Sequence, residues 1–261
     1  MTNLFNMQLR AARRDRAARI GPELFLLDRV FQDCLERLSL IQRSFGKALL
    51  IGCPDSSWPV RLAPVASVVD VRDPGEIFAL AANGDRIVED SWEPPHARYD
   101  LVIAIGTLDT VNDLPRDLLT LRWAMRPDAL FLGALSGGNT IPRLRSAMRA
   151  ADAVGGAALP HIHPRIEPSA LASLLVEAGF VNPVVDVDRA SVGYRSFDRL
   201  VSDLRAMAAT NILTERRRQA LSRAAYAAAA TDFAATANDG QTLEIFEILH
   251  FACWSPAQER G

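Results

Sequence analysis

The run Ala48-Leu49-Leu50-Ile51-Gly52-Cys53 is apolar on both faces and meets a glycine near its end. A strand with one solvated face alternates apolar and polar residues, whereas a strand covered on both faces reads as a continuous aliphatic run. Similar short runs recur at residues 67–71, 101–105 and 129–135, each too brief for a helix. The weaker run 86–88 and the segments 184–187 and 245–253 bring the expected strands to seven.

Helical patterns lie between and before these runs. Val30, Phe31, Leu35, Leu38, Ile41 and Phe45 recur at three- and four-residue steps, a long amphipathic helix expected to end at Gly46. Residues 112–125 carry a stripe of Leu114, Leu118, Leu121 and Met125, with Asn112 the expected cap and Pro115 in the first turn. A further helix, 168–178, stops at Gly179. An Ala- and Arg-rich stretch, 197–233, reads as a helical insertion before the last strand. Alternating β and α elements define an α/β, doubly wound sheet with ligands expected at the carboxyl ends of its first strands. One domain over residues 1–261 is expected: an N-terminal helical segment 1–45, a nucleotide-binding core 46–188, the insertion 189–244, and the last strand with its tail, 245–261.

Composition narrows the function classes. Lys and Arg number 29 against 31 Asp and Glu, a formal charge of -2, so neither nucleic acid nor an anionic membrane is an expected partner. A small molecule or a protein remains open as substrate. Cys34, Cys53 and Cys253 form no paired motif, which points to a reducing compartment, with cytoplasm the default. No apolar run reaches the roughly 20 residues of a membrane span. Arg10, Arg13, Arg14, Arg16 and Arg19 crowd an Ala-rich segment that admits three readings: a transit peptide, a solvated helix face, or a helix that closes a pocket.

Several stretches carry a resemblance: Val111-Asn112-Asp113-Leu114-Pro115, Arg126-Pro127-Asp128-Ala129-Leu130-Phe131, Gly137-Gly138-Asn139-Thr140 with Leu144-Arg145, Pro160-His161-Ile162-His163-Pro164, and Asp203-Leu204-Arg205-Ala206-Met207 with Thr210-Asn211. In this order they resemble class I S-adenosylmethionine (SAM) dependent methyltransferases. The likeness is to the branch that holds the biotin-synthesis enzyme acting on a malonyl thioester and the methyltransferase-fold assembly factors of respiratory complex I. The resemblance implies a seven-stranded Rossmann-like methyltransferase sheet with the last strand antiparallel, SAM as cofactor, and either methyl transfer or a hydroxylase-like or non-catalytic role with a respiratory-complex partner.

Against that family the cofactor loop is eroded. The family pattern places an acid before a glycine-rich turn; here the stretch reads Leu50-Ile51-Gly52-Cys53-Pro54-Asp55-Ser56, so only Gly52 stands where a glycine is expected. Proline removes an N–H and fixes φ, and serine narrows the conformations glycine allows. Weakened or lost SAM binding is therefore expected. The resemblance assigns cofactor contacts to Gly52, Cys53, Asp55 and Gly106, the ribose to Asp70 as the acid ending the second strand, and adenine to Glu89 or Asp90. Thr107-Leu108-Asp109-Thr110 replaces a family stretch that ends in histidine and tryptophan, so no catalytic residue is assigned. His161 and His163 share one face of an extended segment, but two ligands do not make a metal site and none is expected. Gly137 and Gly138 read as a tight turn into the next helix, with an anion-binding turn the alternative.

Overall fold

The computed structural model describes residues 3–156 and 158–258. Helices α1 (Met7–Ile20) and α2 (Phe25–Ile41) precede strand β1 (Phe45–Ile51). Then follow α3 (Trp58–Leu62), β2 (Ala66–Asp73), α4 (Glu76–Ala81), β3 (Asp85–Arg86), β4 (Tyr99–Ile105), α5 (Leu114–Ala124) and β5 (Met125–Ser136). The remainder is α6 (Pro142–Gly155), α7 (Pro168–Glu177), β6 (Val181–Tyr194), α8 (Phe197–Ala206), α9 (Arg223–Ala234) and β7 (Thr242–Trp254).

The sheet order is β3-β2-β1-β4-β5-β7-β6. The first five strands are parallel, and β7 runs antiparallel between β5 and β6. The expected doubly wound, seven-stranded sheet with its reversed last strand is thus what forms. Both faces of the central strands are sealed, as their aliphatic runs require. Leu50, Ile103, Ile105 and Leu132 pack on one side with Val30, Phe31 and Leu38 of α2. On the other side Leu49, Val102 and Phe131 pack with Leu118 and Leu121 of α5 and Leu171 and Leu175 of α7.

Four local expectations are corrected. Gly46 does not end α2; Gln42 does, at φ 51°, and Gly46 lies inside β1. Asn112 does not cap α5; Asp113 does, accepting from the Arg116 N–H, while Asn112 accepts from the Phe5 N–H and ties the N-terminal segment down. β6 runs on to Tyr194, because residues 189–194 pair with β7 although their sequence alternates, so the insertion begins later than 189. That insertion is two helices, α8 and α9, joined by a non-helical connection. They pack with α6 through Phe197, Leu200, Ala147, Ala229 and Phe233.

Candidate functional site

The carboxyl ends of β1, β2 and β4 converge at Gly52. Its φ is +82°, and a Cβ built there would lie 2.1 Å from the Ile105 carbonyl oxygen, so only glycine fits this approach of two strand ends. Beside it the Cys53 N–H donates to Asp73 at 2.8 Å, and the Gly75 N–H donates to the same carboxylate at 2.7 Å. Asp73 is fully buried.

Asp70, the expected strand-end acid, is not at the strand end. β2 continues three residues further, to Asp73, and Asp70 is held by Lys47, Tyr99 and Arg98, which draw its carboxyl below the ordinary range despite partial burial. Asp73 was legible as the last acid before the Pro74-Gly75 turn, but Arg72 broke the apolar run and hid the extension. Asp55 is likewise drawn away: its carboxylate accepts from the Ser57 N–H and shapes the turn. Glu89 and Asp90 sit in a 3-10 turn, Glu89 buried and Asp90 taking a hydrogen bond from the Asn112 side chain. Gly106, at φ +60°, lines a cavity next to this cluster. Gly52, Cys53, Glu89 and Gly106 are thus gathered, while Asp70 and Asp55 face elsewhere.

Two arginines one helical turn apart on α1 enter this cluster. Arg14 donates from Nε to one Asp73 oxygen at 2.7 Å and from Nη2 to the other at 2.5 Å. Arg10 donates to Glu89 at 2.7 Å and to the Thr107 carbonyl at 2.9 Å. Both guanidinium groups are buried, which overturns the solvated-face reading and supports a helix that closes a pocket. Burial alone lowers the Arg14 guanidinium, but the Asp73 charge and hydrogen bonds outweigh it and hold it above its ordinary value. The other Glu89 oxygen, Oε1, is buried with no partner. Burial first, then Asp73, pushes the Cys53 thiol up to about 12, so it is no nucleophile.

Against α1, on the β4 and β5 side, lies a cavity of about 140 Å³ bounded by Gly106, Asp109, Ser136, His163, Arg165 and Glu247. Asp109, in the stretch that departs from the family pattern, meets Arg165 at 2.5 Å, and both are largely buried. Burial would raise the Asp109 carboxyl, but Arg165 overrides it and keeps it ionised. His163 accepts the Ile212 N–H at 3.0 Å and stacks edge-on against Phe5. Burial, then Arg165, lowers its imidazole to about 4. His161 turns instead to Asp152, so the two histidines do not converge, and no metal-ligating cluster occurs among the described residues. The turn at Gly137 and Gly138 offers no free anion site either: the Glu244 carboxylate already accepts the Arg143 and Leu144 N–H groups that open α6.

The sheet order, the reversed last strand and the strand-end cluster define the methyltransferase class of α/β folds. Residues 25–183 match the family described as the methyltransferase domain, and the chain belongs to it. The mouse protein named "Arginine-hydroxylase NDUFAF5, mitochondrial" is 30% identical over 97% of this chain and 77% of its own length. A Xylella fastidiosa malonyl-[acyl-carrier protein] O-methyltransferase is 35% identical over 62% of this chain and 54% of its own length. Among solved structures, the YcgJ protein of Bacillus subtilis superposes with a TM-score of 0.58 at 10% identity, covering 87% of this chain and all (100%) of that one. The N-methyltransferase NodS of Bradyrhizobium japonicum, solved with S-adenosylhomocysteine, gives 0.51 at 14% identity over 95% and 98% of the two chains. At these identities the structural likeness shows the fold. No helix among the described residues is long and apolar enough to cross a membrane.

Proposed function

We propose that the cluster at the ends of β1, β2 and β4 is a SAM pocket in which the nucleoside half of the site is intact and the methionine half is eroded. One observation carries this reading: the buried Asp73 carboxylate, fixed by two backbone amides beside Gly52, presents both oxygens to a paired donor. A ribose diol is such a donor, and Asp73 takes the role first expected of Asp70. The unpartnered Glu89 Oε1 is an acceptor suited to an exocyclic amino group. Gly52, Cys53 and Gly106 line the backbone approach. By contrast Pro54 is buried without an N–H to offer, and Leu50 is sealed inside the apolar cluster under α2.

Arg14 and Arg10 occupy the same acceptors, so nucleoside binding requires α1 to yield. When bound, SAM supplies an electrophilic methyl group on a sulfonium, and the protein's part is to position the acceptor and exclude water. The cavity at Asp109, His163 and Arg165 adjoins Gly106 and is the place for that acceptor. His163, neutral at physiological pH, is the group there able to take a proton. Calorimetric titration with S-adenosylhomocysteine tests the reading: weak, saturable binding that Asp73→Asn abolishes is expected, and binding indifferent to Asp73→Asn rejects it.

A second reading has its own observation. The cleft's two acids already each hold a guanidinium, and relatives matching 97% of the chain are named arginine-hydroxylases, so a protein arginine is a candidate occupant and a hydroxylase-like or assembly role its consequence. Under this reading an arginine peptide, rather than S-adenosylhomocysteine, competes with α1 for Asp73.

A further inference from the structure

α1 separates two spaces. Its Arg10 and Arg14 face the cofactor cluster, while Arg13 and Arg16, on the adjacent stripe of the helix, face a cavity of about 720 Å³ enclosed by α6, α8, α9 and the connection between α8 and α9. That volume lies within the range of about 300–1,000 Å³ typical of small-molecule sites. Eight arginines line it, and no aspartate or glutamate does. The apolar part of the wall comes from Leu144, Met148 and Phe197, so the space combines an apolar floor with a cationic rim.

This concentration is unlike the rest of the molecule. Where arginines are drawn in elsewhere they meet acids, as Arg10 meets Glu89, Arg14 meets Asp73, Arg37 meets Asp33 and Arg165 meets Asp109. Among the described residues, Arg13, Arg16, Arg205, Arg216 and Arg217 enter no ion pair. The Nε groups of Arg13 and Arg16 are buried with no acceptor at all. A buried donor left unmade costs about 1–3 kcal/mol, and more when it is charged, so the fold maintains this arrangement at a cost. Burial and then the repulsion of Arg216 and Arg205 pull the Arg13 guanidinium below its ordinary value, which shows the like charges acting on one another. The Arg16 contact to Thr210 and the Arg216 contact to the Leu213 carbonyl hold two of the heads in place without neutralising them.

We propose that this cavity binds a small, multiply charged oxyanionic ligand, a phosphate ester or a polycarboxylate, through Arg13, Arg16, Arg205 and Arg216. Guanidinium groups present planar, paired donors matched to such oxyanions. Arg165 and His163 line both this space and the smaller cavity, so the bound ligand's far end reaches the proposed acceptor chamber. The site stands on its own charges, whether or not the neighbouring cleft binds a nucleoside.

Titration of the full chain with inorganic pyrophosphate and with citrate, followed by calorimetry and thermal melting at physiological ionic strength, tests the proposal. Saturable one-to-one binding of at least one anion is expected, weakened tenfold or more by Arg13→Gln and by Arg216→Gln and unchanged by Arg149→Gln, an exposed arginine of α6 outside the cavity. Preference between the two anions separates phosphate from carboxylate ligands. Both variants fold, since each relieves repulsion, and without ligand Arg13→Gln melts no lower than the parent protein at low salt. Absence of saturable binding by both anions, or equal weakening by Arg149→Gln, overturns the proposal. Binding of polyglutamate but of neither small anion overturns it too, by making this face a surface for an acidic protein.

Discussion

Replacing Arg14 by alanine separates a permanent structural ion pair from a pair that a ligand displaces. Arg14 supplies two of the four donors to Asp73, the others being the Cys53 and Gly75 amides, and Asp73 has no access to solvent. Removing one partner of a buried pair costs about 3–5 kcal/mol, and the two remaining amides place this case near the lower figure. At about 2–4 °C per kcal/mol for a chain of this size, Arg14→Ala should melt about 6–12 °C below the parent protein. A ribose diol restores the missing donors. Ligand at about a hundred times its Kd contributes about 2.7 kcal/mol, nearly the whole loss. Scanning calorimetry with and without S-adenosylhomocysteine should therefore show a destabilised variant largely rescued by ligand, and titration should show it binding at least tenfold tighter than the parent. A destabilised variant whose melting the nucleoside leaves unmoved would refute the reasoning and make Arg14–Asp73 a fixed strut.

Other outcomes follow from the same geometry. Gly52→Ala should lose about 1–3 kcal/mol from its left-handed backbone alone, and more from the contact with the Ile105 carbonyl, measured by urea unfolding; a neutral result would contradict the strand-end approach. Pro54→Gly with Ser56→Gly should tighten S-adenosylhomocysteine binding in calorimetry, whereas Leu50→Asp should fail to fold stably, because Leu50 is fully buried in the apolar cluster. Burial, then Glu89, Asp90 and Asp113, pushes the Asp117 carboxyl up to about 7, so its contribution to stability is full below its unfolded value of 3.8 and is lost as pH rises through about 7. His163, lowered to about 4 from 6.5, acts the other way: its contribution is present above 6.5 and lost as pH falls through about 4. The two slopes oppose one another between about 4 and 6.5. Urea melts across that window should fall more steeply toward acid pH in Asp117→Asn than in the parent protein, and less steeply in His163→Gln.

The sheet was readable because burial on both faces writes itself into sequence: β1, β4 and β5 are aliphatic runs with no other use. β6 was read short because beyond Val187 its residues alternate, and its pairing is decided by β7, far along the chain. Gly52 carried its own signal, since nothing else tolerates its backbone. Asp73 did not, because a charged Arg72 beside it resembles a loop until the register with Ile51 is known. Least legible were Arg10, Arg14 and the cationic cavity. A near-neutral total charge says nothing about where charges gather, and the split of one arginine-rich helix into a paired stripe and an unpaired one depends on its rotation against the sheet.

The placement of β7 also sets the order in which this molecule can be made. The strand that joins β5 to β6 is the last of the sheet in sequence, so until residue 254 has left the ribosome β5 carries an open edge and β6 has no partner. Both are long, of 12 and 14 residues, and unpaired strand edges recruit other chains. During synthesis the parallel half of the sheet can close early on local connections, while the antiparallel half waits for contacts between residues more than a hundred positions apart, such as Ser136 with Ile248. A nascent chain of this protein therefore exposes two sticky edges until its final few residues emerge, which makes it a natural client for chaperones that shield strands.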